Sequence, residues 1–478
     1  MTKSGGYGTI VREKGAKMNL VLVIVDTLRK DHVGCYGNTW IETPNLDKLA
    51  KESVIFDAAY PESLPTLPQR RAMHTGMRTF PFRRYNPRKG DMVKIYGWEP
   101  IPEEQTTLAE MLRQTGYHAG FICDAYHCFK PSMNYHRGFN QFQWIRGQEA
   151  DRYRRPLPRE AIMDVLQPWM LGTNVEMILR QHMANIADRK SEKDCFGPKV
   201  FLAASHWLEE NKDNQPFFLL VDSFDPHEPW DPPEEYWRKY DPNYLGKRVT
   251  MPLYGKTDFL RKAELKNMRA QYAGEVTLVD KYFGKFLNKM HTLNLMDNTL
   301  LLVVSDHGHQ LGEHGVMGKV PPGLHPELID LLMMIRHPCG IGAGQRISQL
   351  VYNIDLVVTA LNLLNINPAK KLDGKDLWPL VTGTHRGRWR DQVTCGFQDY
   401  TWIRNRDYAL ITRNDGTNQS LFDMRSDIGQ FKDIGREAPE VAKELFQQAV
   451  EEAGGSLPIY AIGRQMGEWY QPLIAGEV

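Results

Sequence analysis

Short, largely apolar runs recur along the chain, and each is followed by an acidic residue. The three clearest runs, with the acids that follow them, are 19–25 with Asp26, 217–224 with Asp225, and 299–305 with Asp306. Continuous apolar runs of this length are typical of strands that are buried on both faces of a parallel sheet. Because ligands bind outside the carboxyl ends of such strands, the pattern predicts a site at that edge of the sheet.

Amphipathic segments separate these runs and carry the signals of helix ends. Thr43 and Pro44 stand where an N-cap and a first helical residue are expected, and Gly116 closes the segment that begins at Thr107. A further apolar-faced segment begins at Ile354. The alternation of strands and helices predicts an α/β fold with a large, mostly parallel sheet flanked by helices.

Changes in composition along the chain suggest its organisation. We expect residues 1–17 to be a loose N-terminal lead-in and residues 18–385 to form the catalytic α/β domain. Within that domain, residues from about 130 to 260 are rich in Pro, Trp, Tyr and Arg, which indicates insertions. Residues 386–478 combine short alternating segments with a charged, amphipathic helix that begins at Pro439, so we expect a small C-terminal α+β subdomain with a short antiparallel sheet.

Composition narrows the choice of partners and location. The 478-residue chain is 42% hydrophobic and 24% charged, and its formal net charge is +1, which argues against a broad nucleic-acid surface. The six cysteines are scattered without a Cys-x-x-Cys pair, as expected for reduced thiols. The sequence shows neither an apolar signal segment nor an apolar run long enough to span a bilayer, so we expect a cytoplasmic protein with no membrane partner. Whether the chain forms a homo-oligomer stays open.

The segment SDHGHQLGEHG, residues 305–315, carries the strongest chemical signal. Asp306 and His307 are adjacent after a predicted strand, and a carboxylate beside an imidazole suits Mn or Zn or, with more oxygen ligands, Ca or Mg. Asp26, at the end of another predicted strand, would add a second carboxylate. The structural alternatives are a polar loop with incidental histidines and an Asp26 that only caps a helix.

Other histidines are candidates for contact with a substrate. His227, in DPHEPW, is held by flanking prolines and could act as a general acid or bind a phosphate, although a purely structural histidine is the alternative. We expect His314 to contact substrate. We expect His309 to lie on the surface or behind the metal ligands.

The segment SLPTLPQRRAMHTG, residues 63–76, places a hydroxyl at a predicted helix start. A helix N-terminus favours an anion, and a hydroxyl beside a divalent metal can be deprotonated and used as a nucleophile. Thr66 is therefore a candidate nucleophile, and Arg70, one turn later, could reach the same oxygen or a bound oxyanion. The alternative is that Thr66 only caps the helix.

Taken together and in order, these segments resemble the sulfatase family of the alkaline phosphatase superfamily. The resemblance covers roughly residues 18–450. The segments that carry it are "NLVLVIVDTLRKDHVGCYGN", "TPNLDKLAKESVIFDAAY", "TLPQRRAMHTG", "TLAEMLRQTGYHAGF", "DPHEPW", "VVSDHGHQLGEHGVMGK", "IDLVVTALNLLNI" with "LDGKDLWPLV", and "LFDMRSDIGQFKDI". One such segment is a weak signal, whereas the ordered set is specific.

By position, the resemblance implies a metal site. It implies that Asp26, Asp306 and His307 bind one divalent ion (Mn, Ca, Zn or Mg) together with Thr66 at the nucleophile position. Thr27 stands where sulfatases carry a second aspartate and phosphonate monoester hydrolases carry glutamine, so it would be a weak ligand at best. The Asp-His pair is the pattern of phosphonate monoester hydrolases and phosphodiesterases.

The resemblance also implies roles around the metal. Arg70 matches the family's arginine near the nucleophile. His127, His227 and Lys319 match residues that bind substrate or transfer protons.

Two departures from the family pattern bear on the activity. Family sulfatases carry Cys or Ser where Thr66 stands and oxidise it to formylglycine, a conversion for which threonine lacks the chemistry. Ser63 cannot substitute, because Leu67 occupies the position where the motif needs arginine. The family's Gly-Lys-Trp-His segment appears here as Asp-Ala-Tyr-His at 124–127, so one sulfate-binding lysine is missing.

These features favour a metal-dependent hydrolase of small-molecule phosphodiesters or phosphonate monoesters with a Thr66 nucleophile. Threonine nucleophiles occur elsewhere in the superfamily, in nucleotide pyrophosphatases, phosphonoacetate hydrolase and lipoteichoic acid synthases. The alternatives are a sulfuric ester hydrolase that works without formylglycine and a phospho-group transferase. A catalytically silent binding protein is disfavoured, because the charged site residues are all present.

Overall fold

The structure is a computed structural model, and it describes residues 17–82, 95–129 and 133–459. All but one residue of the predicted lead-in at 1–17 therefore lie outside the described residues, as do the last residues of the predicted C-terminal subdomain. Among the described residues, no helix is both long enough and apolar enough to cross a membrane.

An eight-stranded sheet forms the centre of the molecule. The strands of the chain are β1 (Asn19–Val25), β2 (Val54–Phe56), β3 (Ala59–Tyr60), β4 (His118–Cys123), β5 (Gln141–Trp144), β6 (Phe217–Ser223), β7 (Gly255–Lys256), β8 (Thr299–Ser305), β9 (Gln310–Leu311), β10 (Val316–Gly318), β11 (Met333–Arg336), β12 (Arg346–Ile347), β13 (Val351–Tyr352), β14 (Val393–Phe397), β15 (Tyr400–Arg404), β16 (Tyr408–Arg413) and β17 (Ser420–Asp423). The central sheet has the order β12-β2-β11-β8-β1-β6-β4-β5, and only β11 runs antiparallel to its neighbours. The predicted α/β fold with a large, mostly parallel sheet is confirmed.

The strands with acidic ends are neighbours in the sheet. Strands β6 and β8 flank β1 on its two sides, and Val25 is in register with both Ser223 and Ser305. The backbone N–H of Asp26 continues the ladder and donates to the Ser223 carbonyl at 2.8 Å. The residues that follow the three strands therefore meet at one edge of the sheet.

Helices cover both faces of the sheet. The helices are α1 (Pro44–Lys51), α2 (Thr66–Thr75), α3 (Leu108–Gln114), α4 (Asn174–Asn185), α5 (Phe196–Asn211), α6 (Glu234–Trp237), α7 (Lys262–Thr292), α8 (Pro326–Ile329), α9 (Asp355–Leu363), α10 (Trp378–Val381) and α11 (Pro439–Glu452). Alternate residues of β1 face opposite sides, so Val21, Val23 and Val25 pack with α1, α5 and α7, whereas the residues between them pack with α3 and α9. Burial on both faces explains why β1 is apolar from Leu20 to Val25.

The segment at 130–260 does not lie wholly outside the sheet. It contains β5 and β6, which are strands of the central sheet, as well as α4, α5 and α6.

The C-terminal part forms a four-stranded antiparallel sheet, β14-β15-β16-β17, as the sequence predicts. Helix α11 packs on it through Leu445 and Ala449. The sheet also contacts the segment before α2, where Leu64 N donates to the Gly396 carbonyl at 2.9 Å. This contact fixes the entry of the chain into the helix that begins at Thr66.

Candidate active site

Two carboxylates and an imidazole converge at the carboxyl edge of the sheet. Asp26 follows β1, while Asp306 and His307 follow β8, and one ligand atom from each of the three side chains lies within 4.8 Å of the others. All three side chains are fully buried. The structure therefore brings together the three metal ligands that the resemblance implies.

The tautomer of His307 suits a metal ligand. Its Nδ1 lies 2.9 Å from the Gly308 carbonyl, so Nδ1 carries the proton and donates, and Nε2 keeps a lone pair. Nε2 lies 3.5 Å from Asp306 Oδ2. Burial lowers the pKa of His307 to about 4, so the ring is neutral at pH 7.

The donor set fits a divalent cation. Three buried carboxylates, Asp26, Asp222 and Asp306, surround the single guanidinium of Arg70, which leaves an excess of negative charge. Among the described residues, Asp26 Oδ2 makes no hydrogen bond, although Arg70 Nη1 lies 2.9 Å away. Burial and then Asp306 raise the pKa of Asp26 to about 6, which shows how costly its charge is without a cation. Two oxygen donors and one imidazole match the preferences of Mn, Zn, Ca or Mg only coarsely, so the identity of the ion stays open.

Thr27 is hydrogen-bonded to both predicted ligand carboxylates. Its hydroxyl donates to Asp26 Oδ1, and its backbone N–H donates to Asp306 Oδ1 at 3.0 Å. Its φ is +61°, a left-handed conformation that a β-branched residue rarely adopts. The carbonyl of Thr27 accepts a hydrogen bond from the Tyr272 hydroxyl at 2.7 Å, which helps to hold this conformation.

Thr66 is the first residue of α2 and lies beside His307. Its Oγ1 is 3.4 Å from His307 Nε2, and only 3% of the residue is exposed. The N-cap of the helix is Pro65, so Thr66 does not have the position of a capping residue. Gln69, on the same helix, ties α2 to the metal ligands by donating to the Asp306 carbonyl at 2.5 Å.

Arg70 holds the carboxylates of the site. Its Nη1 lies 2.7 Å from Asp306 Oδ2, and its other two nitrogens bind both oxygens of Asp222. Burial works against its charge, but Asp222, Asp26 and Asp306 raise the pKa of Arg70 well above its ordinary value. Its contact with Thr66 is to the backbone carbonyl, at 3.4 Å from Nη1, and not to the hydroxyl.

The sequence analysis missed Asp222 and favoured Asp225 as the acid that β6 delivers. Asp222 stands inside the strand, where its side chain reaches Arg70. Asp225 instead accepts hydrogen bonds from Gly197 N at 2.7 Å and from Gln148 Nε2 at 2.6 Å, so it fixes the start of α5. The sequence did carry a signal for Asp222, because it is the acid that interrupts the apolar run of β6. A charge buried within a strand needs a partner of opposite charge.

A second group of charged side chains surrounds Lys319. Its Nζ donates to both oxygens of Glu228 at 2.9 Å and lies 3.0 Å from His227 Nε2. His227 Nδ1 lies 2.6 Å from the Glu228 carbonyl, so Nδ1 donates there and Nε2 accepts from Lys319. Burial would raise the pKa of Glu228, but His227, Lys319 and His309 hold it well below its ordinary value. The sequence analysis found Lys319 and His227 but missed Glu228, although it adjoins His227.

His309 lies behind Lys319 and not on the surface. It is fully buried, and its Nε2 is 3.4 Å from Glu228 Oε2. His314 lies elsewhere, stacked on His325 with ring centroids 3.8 Å apart and on Phe431 at 4.5 Å. Its predicted contact with substrate stays a prediction.

His127 belongs to an aromatic wall of the site. Its ring lies 4.0 Å from that of Tyr126 and 6.1 Å from that of Phe224, and Phe224 in turn stacks on His227 at 4.0 Å. Its Nε2 is 3.8 Å from Glu149 Oε2. The structure therefore places His127 and His227 against the same phenylalanine.

Two buried thiols lie behind Asp222. One donor atom from each of Cys123, Cys128 and Asp222 lies within 4.8 Å of the others. Burial, followed by the neighbouring Cys128, raises the pKa of the Cys123 thiol well above its ordinary value. The Cys123 thiol is therefore neutral, and both cysteines are free thiols that pack beside the Asp222 carboxylate.

The family can be identified from the whole chain. A family model described as "Sulfatase" matches residues 18–366, and one described as "N-sulphoglucosamine sulphohydrolase, C-terminal" matches residues 312–453. Because the first match covers well over half of the chain, the protein belongs to the sulfatase family, within the alkaline phosphatase superfamily. It is thus an ester hydrolase of that superfamily, a group whose members generally bind a divalent metal ion.

Individual relatives differ in the activities that they are named for. The arylsulfatase of Clostridium perfringens is 24% identical over 469 residues, which cover 91% of this chain and 92% of that protein. The multifunctional alkaline phosphatase superfamily protein of Trinickia caryophylli is 23% identical over 451 residues, covering 84% of each chain. The crystal structure of the phosphonate monoester hydrolase of Agrobacterium radiobacter superposes with a TM-score of 0.70 at 20% identity, covering 91% of this chain and 95% of that one. The fold is shared across this range, whereas the substrate is not decided by it.

Proposed function

We propose that this protein is a metal-dependent hydrolase of phosphodiesters or phosphonate monoesters that forms a covalent intermediate on Thr66. The observation that carries the proposal is the position of the Thr66 hydroxyl. Thr66 begins helix α2, and its Oγ1 lies 3.4 Å from His307 Nε2, the nitrogen that keeps a lone pair. Threonine lacks the chemistry for conversion to formylglycine, so its hydroxyl would act directly. An ester of threonine with phosphorus can be attacked again by water, which makes phosphorus the favoured centre.

Asp26, Asp306 and His307 would hold the metal ion, with Thr66 beside it. A divalent ion bound there would supply the Lewis acidity that lowers the pKa of the Thr66 hydroxyl and neutralises a charged substrate oxygen. Arg70, held by Asp222, would keep the two ligand carboxylates in place.

The remaining residues would act on the substrate. Thr66 Oγ1 attacks in line, and the bond from phosphorus to the leaving oxygen breaks with its electron pair moving to that oxygen. Lys319, oriented by Glu228, would bind a non-bridging oxygen. His127 would give a proton to the leaving oxygen, because His227 Nε2 accepts from Lys319 and carries no proton to give. Water would then release the Thr66 ester. Release by an alcohol in place of water would make the enzyme a transferase.

Hydrolysis of sulfuric esters is the second candidate, and the comparisons support it at least as strongly. The matched family model is named for sulfatases, as is the relative from Clostridium perfringens. In this chain such an activity would have to proceed without formylglycine, because position 66 is threonine.

Matched substrates separate the two candidates. Purified protein loaded with Mn, Zn, Ca or Mg is given 4-nitrophenyl esters that share one leaving group: a phosphodiester, a phosphonate, a phosphomonoester and a sulfate. We expect kcat/KM to be highest for the phosphodiester or the phosphonate. A higher value for the sulfate, with Thr66 shown by mass spectrometry to be unmodified, would establish the second candidate instead.

A further inference from the structure

Glu149 is a buried carboxyl next to the aromatic wall of the site. Only 9% of the residue is exposed, and its Oε2 accepts a hydrogen bond from the Tyr126 hydroxyl at 3.1 Å. The same oxygen lies 3.8 Å from His127 Nε2. The roles assigned above do not explain why a carboxyl group is buried here. Burying an ionised carboxylate is costly unless it is paired or hydrogen-bonded.

The backbone around Glu149 is built to hold the carboxyl in this position. Glu149 has a φ of +47°, a left-handed conformation that is uncommon and strained outside glycine. Its N–H donates to Gln148 Oε1 at 3.1 Å, and Gln148 Nε2 donates to Asp225 Oδ1 at 2.6 Å. Two residues further on, Asp151 is paired with Arg146 at 2.8 Å. The surrounding contacts thus fix a strained residue, a situation that is common at functional sites.

The charges of the site act on Glu149. Those of Glu228 and Asp26 oppose its ionisation, whereas Lys319 favours it. Among the described residues, the Tyr126 hydroxyl donates to Glu149 Oε2, and His127 Nε2 lies 3.8 Å from the same oxygen, within ion-pair distance. The carboxyl therefore lies within the electrostatic range of the groups that would bind substrate.

We propose that Glu149 is a positioning residue that shares a proton with His127, so that His127 can protonate the leaving oxygen. The inference rests on the proposed function, because it requires an ester with a leaving oxygen. It applies whether the atom that Thr66 attacks is phosphorus or sulfur. As the bond to the leaving oxygen breaks, its electron pair goes to that oxygen, which takes the proton from the His127 imidazolium. When water attacks the Thr66 ester, the proton that the water loses returns to the pair.

The acidity of Glu149 suits this task. Burial, followed by the charge of Glu228, raises the pKa of Glu149 to about 7. A carboxyl with a pKa near the working pH can both hold a proton and give it up.

Glu149→Gln tests the inference through the dependence on the leaving group. The substrates are two esters of the same transferred group, one with a 4-nitrophenyl leaving group and one with an alkyl leaving group. A nitrophenolate departs without a proton, whereas an alkoxide needs one. We expect kcat to fall about 100-fold or more for the alkyl ester and less than about 10-fold for the nitrophenyl ester, as is usual when a general acid is impaired. The exposed Glu160→Gln is the matched control and should change neither rate.

The pH–rate profile of the alkyl ester gives a second readout, because the ionisation near pH 7 should disappear in Glu149→Gln. The third readout is the pH midpoint at which the His127 ring takes up a proton, followed by ¹⁵N NMR without any turnover. This midpoint should fall in the variant, because the neighbouring carboxylate is gone. Equal losses for both leaving groups, or an unchanged His127 midpoint, would overturn the inference.

A Glu149→Gln protein that does not fold is replaced by Tyr126→Phe, which keeps the carboxyl and removes its hydrogen bond. That variant should shift the ionisation near pH 7, and an unshifted profile would count against the inference. Failure of the proposed function would look different. In that case the wild-type protein would hydrolyse neither ester, or Thr66→Ala would leave both rates intact.

Discussion

Both carboxylate oxygens of Asp222 accept hydrogen bonds from the guanidinium of Arg70, Oδ2 from Nε at 2.8 Å and Oδ1 from Nη2 at 2.7 Å. This bidentate pair fixes the plane of the guanidinium. The remaining nitrogen, Nη1, is thereby aimed at Asp26 and Asp306. A residue within a central strand thus orients the side chain that holds the two proposed metal-binding carboxylates.

We expect Asp222→Asn to destabilise the fold strongly. The amide would turn an N–H group towards the buried guanidinium, and breaking a buried ion pair costs about 3–5 kcal/mol. Equilibrium unfolding in urea measures the loss. Asp188→Asn is the control, because Asp188 is paired with Arg154 at the surface, with 62% of its side chain exposed, and exposed pairs contribute little to stability. A similar, small cost for both variants would contradict the role of Asp222.

The metal site predicts a graded response to substitution. Asp306→Asn should lose the bound divalent ion, because it removes one of the two carboxylates that are proposed to bind the ion. Thr27→Val keeps the β-branched shape but removes the hydroxyl that donates to Asp26, so it should weaken metal binding by about 10–100-fold. The metal content of each dialysed variant, measured by elemental mass spectrometry and compared with that of the wild type, tests both predictions. Wild-type protein that retains full activity without metal would rule out the site.

Glu228 predicts a dependence of stability on pH. Its folded-state pKa is held well below the ordinary value of 4.5, so the folded protein binds fewer protons there than the unfolded chain. Its contribution is therefore present above about pH 4.5 and is lost as the pH falls through the folded-state pKa. We expect Glu228→Gln to be less stable than wild type at pH 7 and the difference to shrink towards about pH 3.

Urea midpoints across this pH range measure the effect. The exposed Glu160→Gln should follow the wild-type curve at every pH, because its carboxyl is solvated. A gap between Glu228→Gln and wild type that stays constant down to low pH would mean that Glu228 acts through packing and not through its charge.

The sequence predicted the parts of the site that lie at strand ends. Asp26, Asp306 and His307 follow uninterrupted apolar strands, so their meeting at one edge could be inferred from the order of strands and from the resemblance. Thr66 could be placed because the prolines around it mark a helix start. These inferences depend only on local pattern and on the rule that parallel strands share an edge.

The partners within the site could not be predicted in the same way. Asp222 is 152 residues from Arg70 in sequence, Glu228 is 91 residues from Lys319, and Glu149 is 23 residues from Tyr126, so no periodicity links these partners. Asp225 was favoured over Asp222 because it follows the strand, yet the pleat and the position of Arg70 decide which acid faces the site. Contacts of this kind come from tertiary packing and have no short-range signature.

The final prediction concerns Thr66. Thr66→Ala removes the attacking hydroxyl beside His307 and one methyl group, so the fold and the metal should persist while kcat falls by about 10³-fold or more. Thr66→Ser keeps a hydroxyl in nearly the same place and should retain measurable turnover. Thr66→Val keeps the shape of the side chain and should be as inactive as the alanine variant.

These three variants also exclude a purely structural role. Loss of an N-cap would cost about 1 kcal/mol of stability and leave catalysis nearly intact, and Pro65 already has the N-cap position here. Single-turnover reactions followed by mass spectrometry should find the transferred group on Thr66 in the wild type and absent from the valine variant. If Thr66→Val turns over substrate at the wild-type rate, the nucleophile lies elsewhere and the covalent mechanism is wrong. The metal site, which rests on Asp26, Asp306 and His307, would survive that result.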